Sequence, residues 1–298
     1  MYRGVYTALV TPLAENNRVD EKALRELVEF QISGGVAGLV PVGTTGESPT
    51  LTREETQLVI RTVVDQVNGR VPVIAGAGAN STEKAIEQVI SAAELGVNAT
   101  LQVVPYYNKP TQAGLIEHFS MIAEAADLPM VLYNVPGRTG VALQNESILT
   151  LAKNPRIAAV KVACGNIPGI MDLISQVPDD FTVLSGDDNL TFPIMTLGGH
   201  GVISVASNLY PQLVSQMVSR CLSQDWEKAR EIHYRMLPFF KSLFLESNPI
   251  PIKAAMAMKG YIKEFYRLPL CGLSTEHRRE LERIIEECEH PELISAAQ

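Results

Sequence analysis

Eight short apolar runs, spread over the first two thirds of the chain and separated by amphipathic stretches, constrain the fold most. The runs are Tyr6–Val10, Gly38–Val42, Val71–Ala75, Thr100–Val104, Met130–Tyr133, Ala158–Lys161, Thr182–Leu184 and Gly201–Val205. They are almost continuously apolar rather than alternating, as parallel strands buried on both faces should be. The stretches between them carry helical spacing. Leu24, Leu27, Val28 and Ile32 share one helix face. A second helix is expected over Ser81–Leu95, with Asn80 or Ser81 as N-cap and Gly96 as its stop. Gln112–Ala126, Asn145–Lys153, Ile167–Val177 and Pro211–Gln224 complete the set. Strands each followed by a helix predict an α/β chain folded as a (β/α)8 TIM barrel. A doubly wound open sheet is the competing arrangement. It is the weaker one because no GxGxxG follows the first strand, and Gly76-Ala77-Gly78-Ala79-Asn80-Ser81 lacks the last glycine.

From about residue 225 the strand-like runs stop. Trp226–Leu245, Pro251–Tyr261 and Thr275–Cys288 read as helices, the last with Leu281, Ile284, Ile285 and Cys288 on one face. The expected organisation is therefore a catalytic barrel over 1–224 and a C-terminal helical region over 225–298. That appendage packs on the barrel or makes an oligomer contact. Its last residues, 291–298, are expected to fray.

Composition narrows the class of partner. Charged residues are 19% of the 298, and the net charge of −8 argues against a nucleic-acid surface or an anionic membrane. No stretch is long and apolar enough to span a bilayer. The opening Met1-Tyr2-Arg3-Gly4 shows no signal-peptide pattern, so a cytoplasmic location is expected. Cys164, Cys221, Cys271 and Cys288 form no CxxC pair, and reduced thiols are the expectation. The histidines 118, 200, 233, 277 and 290 fall in no metal-ligand spacing, and no zinc site is expected.

In a barrel, function gathers where strands end. The sixth run ends on Lys161, after Ile157-Ala158-Ala159-Val160. An ammonium ion is poorly solvated there, which favours the neutral amine, a nucleophile toward carbonyl carbons. A strand-end lysine can also snorkel to the surface. After the second run comes Gly43-Thr44-Thr45-Gly46-Glu47-Ser48, whose hydroxyls and N–H groups suit a small carboxylate or a capped turn. After the fourth comes Pro105-Tyr106-Tyr107-Asn108-Lys109-Pro110, a stiff loop with aromatic faces for a site or a subunit contact. The fifth ends on Tyr133, a phenol placed to pass protons, followed by Arg138, whose fork suits a carboxylate. Core packing for Tyr133 and a surface turn for Arg138 are the alternatives. Asp187 and Asp188 after the seventh run read as a helix N-cap more readily than as a magnesium site.

These segments, in this order, resemble the 4-hydroxy-tetrahydrodipicolinate (dihydrodipicolinate) synthase family. It lies among the class I pyruvate-dependent lyases, which include N-acetylneuraminate lyase. The motifs that carry the resemblance are Gly43–Glu47, Tyr106–Tyr107, Tyr133 to Gly140, and Lys161. It implies that Lys161 forms a Schiff base with pyruvate, and that the derived enamine adds to L-aspartate 4-semialdehyde. The product would be 4-hydroxy-tetrahydrodipicolinate, on the diaminopimelate route to lysine. It further implies that Tyr133, Thr44 and a neighbouring subunit's Tyr107 relay protons, and that Thr45 holds the pyruvate carboxylate. Arg138 would hold the second carboxylate, and Gly186 and Ile203 would offer backbone contacts. Neither metal nor organic cofactor is implied, and a homotetramer built as a dimer of dimers is. Other lyases or dehydratases of the family, acting on sialic acid or keto-deoxy sugar acids, and a non-catalytic metabolite-binding barrel are the alternatives. Arg138 and the tyrosine pair favour the synthase.

Two departures stand out. Val162 follows Lys161 where the family usually has a polar residue; strand alternation should turn it away from the chemistry. The resemblance also implies an effector site at Ser48, Pro49, Leu51, Asn80, Lys84 and Tyr106. Lysine-inhibited members carry an acid at the position of Lys84 and histidines at those of Arg53 and Thr56. A cationic Lys84 repels a lysine ammonium, so weak or absent lysine feedback is expected.

Overall fold

The structure, a computed structural model, describes residues 2–289. The expectation for residues 291–298 lies outside them, as does His290. Strands β1 (Gly4–Ala8), β2 (Gly38–Val40), β3 (Ile74–Gly76) and β4 (Ala99–Val103) are followed by β5 (Met130–Asn134), β6 (Ile157–Val162), β7 (Thr182–Ser185) and β8 (Gly201–Ser204). They form one parallel sheet in the order β2-β1-β8-β7-β6-β5-β4-β3. The two ends of that order meet. Leu39 bridges Val73 in parallel, and Gly76 N donates to the Pro41 carbonyl at 2.9 Å. The sheet thus closes into a (β/α)8 barrel, and the open doubly wound alternative is excluded.

Strand ends differ from the apolar runs by a few residues, most at β3. Pro72 has no N–H to pair, and Val73 N donates to Asn98 Oδ1 instead of to a ladder carbonyl. The regular strand therefore starts only at Ile74.

The barrel helices are α1 (Glu21–Ser33), α2 (Arg53–Val67), α3 (Thr82–Glu94), α4 (Gln112–Glu124), the short α5 (Pro136–Thr139), α6 (Asn145–Leu151), α7 (Ile167–Ile174), α8 (Asp188–Thr196) and α9 (Pro211–Leu222). Of the two cap candidates for α3, Ser81 is the N-cap, and Gly96 follows its end at φ +78°. Helix α2 goes beyond the segments read from periodicity. Its sequence signal is the capping box Thr52-Arg53-Glu54-Glu55: Glu55 N donates to Thr52 Oγ1, and Thr52 N donates to Glu55 Oε2.

Strand alternation sorts side chains into two sets. Tyr6, Ala8, Ile74, Leu101, Tyr133, Ala159 and Ile203 fill the barrel interior. Leu132, Val160, Val162 and Val183 face the surrounding helices. The C-terminal helices α10 (Trp226–Ser242), α11 (Ile250–Met258) and α12 (Thr275–Glu289) settle where the appendage goes. Helix α10 lies on α8 and α9, and α12 lies on α10 and α11. Phe239, Phe240, Met256 and Leu281 share one apolar cluster with Leu24, Leu27 and Val214 of the barrel helices. No helix among the described residues is long and apolar enough to cross a membrane.

Candidate active site

Lys161 is one residue from the end of β6, in the phase that points inward. It is 5% exposed, and its Nζ stands 4.2 Å from the centre of the Tyr133 ring. The β5–β6 register places the two residues side by side. The strand-end lysine therefore does not snorkel. Val162, in the opposite phase, is buried with Ile170 and Leu173 between barrel and helices. Space for the Lys161 stem depends on Gly186. A Cβ there would sit 2.9 Å from Lys161 Cε, 2.8 Å from Ala163 Cβ and 3.0 Å from the Val162 carbonyl oxygen.

The loop after β2 is bent by two left-handed non-glycine residues, Val42 (φ 58°) and Glu47 (φ 56°). Buried contacts hold it. Thr11 Oγ1 donates to the Gly46 carbonyl at 2.7 Å. The Glu47 carboxylate forms a fully buried ion pair with Lys253 of α11 and accepts from Arg267 N at 3.1 Å. Burial pushes the Lys253 ammonium down from its ordinary value, and the Glu47 charge opposes that. Thr45 is buried, and its hydroxyl oxygen accepts from Asn248 Nδ2 at 3.0 Å. Beyond β5, the Asn134 side chain bonds both the N–H and the carbonyl of Leu143, fixing the turn that carries Arg138. Arg138 Nη2 donates to the Asn248 carbonyl at 3.1 Å.

Thr44, Thr45, Tyr133, Arg138, Lys161 and Gly186 line one inner cavity of about 50 Å3 at the C-terminal end of the strands. Asp187, Phe244 and Asn248 also stand on its wall. Ile203 lies deeper, in the barrel interior, and Val205 is the residue beyond β8 that reaches the cavity. Tyr107 is 90% exposed at φ 76° and lines neither the inner cavity nor the outer cleft beside it. An outer cleft of about 630 Å3 adjoins the inner cavity through Gly43, Thr44, Tyr133 and Arg138. Of the expected effector residues, Ser48, Pro49, Leu51, Lys84 and Tyr106 line this cleft. Asn80 does not; its Nδ2 donates to the Tyr106 carbonyl at 3.2 Å, and its carbonyl accepts from Asn108.

The two aspartates do not cap α8 as expected. Asp187 occupies the N-cap position but makes no side-chain cap bond. Asp188, the first helical residue, is fully buried and turns to the end of β8. It accepts from Ser204 Oγ at 2.5 Å, Val205 N at 3.0 Å and Ala206 N at 2.9 Å. The physical reason is competition: three donors at one buried turn outweigh one helix N–H. Burial raises the Asp188 carboxyl despite those bonds. Burial also raises that of Asp187, to about 6, with the Lys161 charge opposing and the Asp188 charge adding.

The sequence pattern of the dihydrodipicolinate synthetase family matches residues 1–288. This chain belongs to that family. It is 52% identical over 286 residues to the 4-hydroxy-tetrahydrodipicolinate synthase of Koribacter versatilis, covering 96% of this chain and 95% of that one. It is 51% identical over 288 residues to that of Methanocaldococcus jannaschii, covering 96% and 99%. The solved 4-hydroxy-tetrahydrodipicolinate synthase of Methylacidiphilum fumariolicum superposes at a TM-score of 0.96, with 41% identity and 97% of each chain covered.

For a member of the dihydrodipicolinate synthetase family, sequence reasoning places Lys161, Tyr133, Thr44, Thr45, Arg138 and Gly186 in one cavity, where the structure also has them. It misses Phe244, Asn248 and Lys253. Asn248-Pro249 ends a helical stretch and reads as an ordinary break. The lysine in Ile250-Pro251-Ile252-Lys253-Ala254-Ala255-Met256 is the one signal that was available, a charge inside an apolar helix.

Proposed function

We propose that this chain is a lyase that condenses pyruvate with L-aspartate 4-semialdehyde to give 4-hydroxy-tetrahydrodipicolinate, on the diaminopimelate route to lysine. One observation carries the reading: a buried lysine amine against the Tyr133 ring, in a cavity that also holds Arg138 and the Thr44–Thr45 pair. The Lys161 amine attacks the pyruvate ketone, and water leaves to form an imine. The protonated imine is the electron sink for loss of a methyl proton. The resulting enamine carbon attacks the aldehyde. The substrate ammonium gives up a proton, and the free amine then attacks the imine carbon, displaces the Lys161 amine and closes the ring. Tyr133 moves protons at the imine, with Thr44 and a neighbouring subunit's Tyr107 continuing the relay. Thr45 anchors the pyruvate carboxylate, Arg138 the carboxylate of the aldehyde. Gly186 and Ile203 face the keto acid with backbone groups.

Residues 1–224 act as the catalytic barrel, and the C-terminal region, described from 225 to 289, braces it with helices. The assembly is a cytoplasmic homotetramer, a dimer of dimers; the support is Tyr107, which is exposed here and needed by a neighbour. A dimer is the least that this requires. One solved dihydrodipicolinate synthase variant is described as monomeric. Millimolar lysine leaves activity nearly unchanged, because Lys84 and Arg53 put positive charge on the outer cleft. Strong inhibition in that titration would remove this part of the proposal.

The central test is borohydride trapping with pyruvate, followed by intact mass and peptide mapping. An adduct on Lys161 is expected, and its absence sinks the Schiff-base reading. Pyruvate with aspartate semialdehyde, assayed against pyruvate with N-acetylmannosamine, then separates the synthase from a sugar-acid lyase.

A further inference from the structure

The aldehyde in the proposed reaction is an amino acid, and beside its carboxylate it carries an α-ammonium group. The roles given above meet the carboxylate through Arg138 and leave the ammonium without a receptor. Taking an ammonium into a cavity of about 50 Å3 is costly unless acceptors and negative charge meet it there. Two residues on the cavity wall carry side-chain oxygens that no donor occupies among the described residues.

Among the described residues lining the inner cavity, Asp187 is the only carboxylate. Its backbone is clamped. Its N–H donates to Ser185 Oγ at 3.2 Å, and its carbonyl accepts from Ser185 Oγ at 2.8 Å and Thr191 Oγ1 at 3.0 Å. Its carboxylate takes no helix-capping bond, although it stands at the N-cap of α8. The residue lines the cavity, and no hydrogen bond or ion pair occupies its carboxylate among the described residues. The second group is Asn248. Its Nδ2 is committed to Thr45 Oγ1, while its Oδ1 is buried with no partner among the described residues. An ammonium brings three N–H donors, which a carboxylate and one amide oxygen can take.

We propose that Asp187, with Asn248 Oδ1 as a second acceptor, binds the α-ammonium of the aldehyde substrate and selects an amino-acid aldehyde over a neutral one. The assignment rests on the functional reading above. Asp187 and Arg138 then hold the two ends of one zwitterion, and the aldehyde carbon is left to face Lys161.

The test compares aspartate 4-semialdehyde with succinate semialdehyde, the same chain with hydrogen in place of the ammonium, by the second-order rate of aldehyde consumption on pyruvate-loaded enzyme in a single turnover, because only the first has an amine to displace Lys161. The wild-type rate favours the first. In Asp187→Asn the ratio of the two rates falls about 10- to 100-fold, as loss of a charged hydrogen bond predicts. Borohydride trapping of pyruvate on the same variant reports that Lys161 is still in place. An unchanged ratio overturns the assignment and leaves Asp187 a counter-charge for the imine. A wild-type ratio near one also overturns it, and that measurement stands even where the variant does not fold. A wild type that traps pyruvate but turns over neither aldehyde removes the functional reading and this assignment together. Turnover with an unchanged ratio removes the assignment alone.

Discussion

The barrel mouth is built from two regions of the chain that contribute differently. Strands β5, β6 and β7 and the loops beside them bring the groups to which the proposed chemistry is assigned: Tyr133, Lys161 and the turn carrying Arg138. The C-terminal helical region brings little that reacts and much that holds. Lys253 neutralises Glu47, Arg267 N bonds the same carboxylate, and Asn248 grips Thr45 and Arg138. Chemistry and bracing are thus separated along the sequence and joined only in space. Variants in the two regions should fail in different ways.

The largest effect is expected at the reactive end. Lys161→Met leaves a side chain of similar length without a nucleophile. Turnover should fall by at least about 10³-fold with the fold retained. Steady-state assay beside thermal unfolding checks this, and substantial activity would move the chemistry off Lys161. The next effect belongs to the bracing end. Lys253→Met strands the Glu47 carboxylate in a fully buried site. Removing one partner of such a pair costs about 3–5 kcal/mol of stability. Urea unfolding should show the loss, and Glu47→Gln added to Lys253→Met should restore part of it. A stable single variant would mean that the C-terminal region braces the loop by packing alone.

The same division explains what could be read in advance. A barrel announces itself through the periodicity of each strand and helix, and strand-end residues inherit a direction from alternation. Lys161, Tyr133 and Arg138 stand out as candidates in their own neighbourhoods, although snorkelling, core packing and a surface turn stay open there until the resemblance is added. Asn248 and Lys253 act on residues 203 and 206 positions away. No local pattern encodes such a contact. The misreading of Asp187 and Asp188 has the same origin. An aspartate before a helix is a good local reason for a cap, and at Asp188 it lost to Ser204, Val205 and Ala206, which only the closed barrel brings near; Asp187 holds the N-cap position without a side-chain bond.

Two carboxylates at the mouth sharpen the comparison through pH. Glu47 has a partner from the C-terminal region, while Asp187 has no ion pair among the described residues. The Asp187 carboxyl is raised from 3.8 to about 6, mainly by burial. Between those values the folded chain binds a proton that the unfolded chain has released. Stability at this site is therefore present below about pH 4 and lost as pH rises toward 6. Asp187→Asn cannot ionise. Relative to wild type it should gain about 1–3 kcal/mol across that window and gain no more above it. Lys161 and Asp188 act on both proteins, so denaturant midpoints taken in parallel from pH 4 to 7 isolate Asp187. Parallel curves would show that its carboxylate is well solvated in the empty site.

The smallest effect tests whether the bracing region touches the chemistry at all. Asn248 Nδ2 donates to Thr45 Oγ1, which leaves the Thr45 hydroxyl hydrogen free to point at a substrate carboxylate. Asn248→Ala removes that constraint, and the hydroxyl can then rotate toward other acceptors. The Arg138 contact survives, because it uses the backbone carbonyl of residue 248. The loss should be that of one neutral hydrogen bond, about a 2- to 10-fold rise in the pyruvate concentration needed for half-maximal borohydride trapping. Thr45→Val should give a similar rise. The double variant should add little to either single one, because both changes remove the same interaction. Additive losses would separate the two residues. An unchanged pyruvate requirement in Asn248→Ala would show that Thr45 holds the keto acid without help from the C-terminal region.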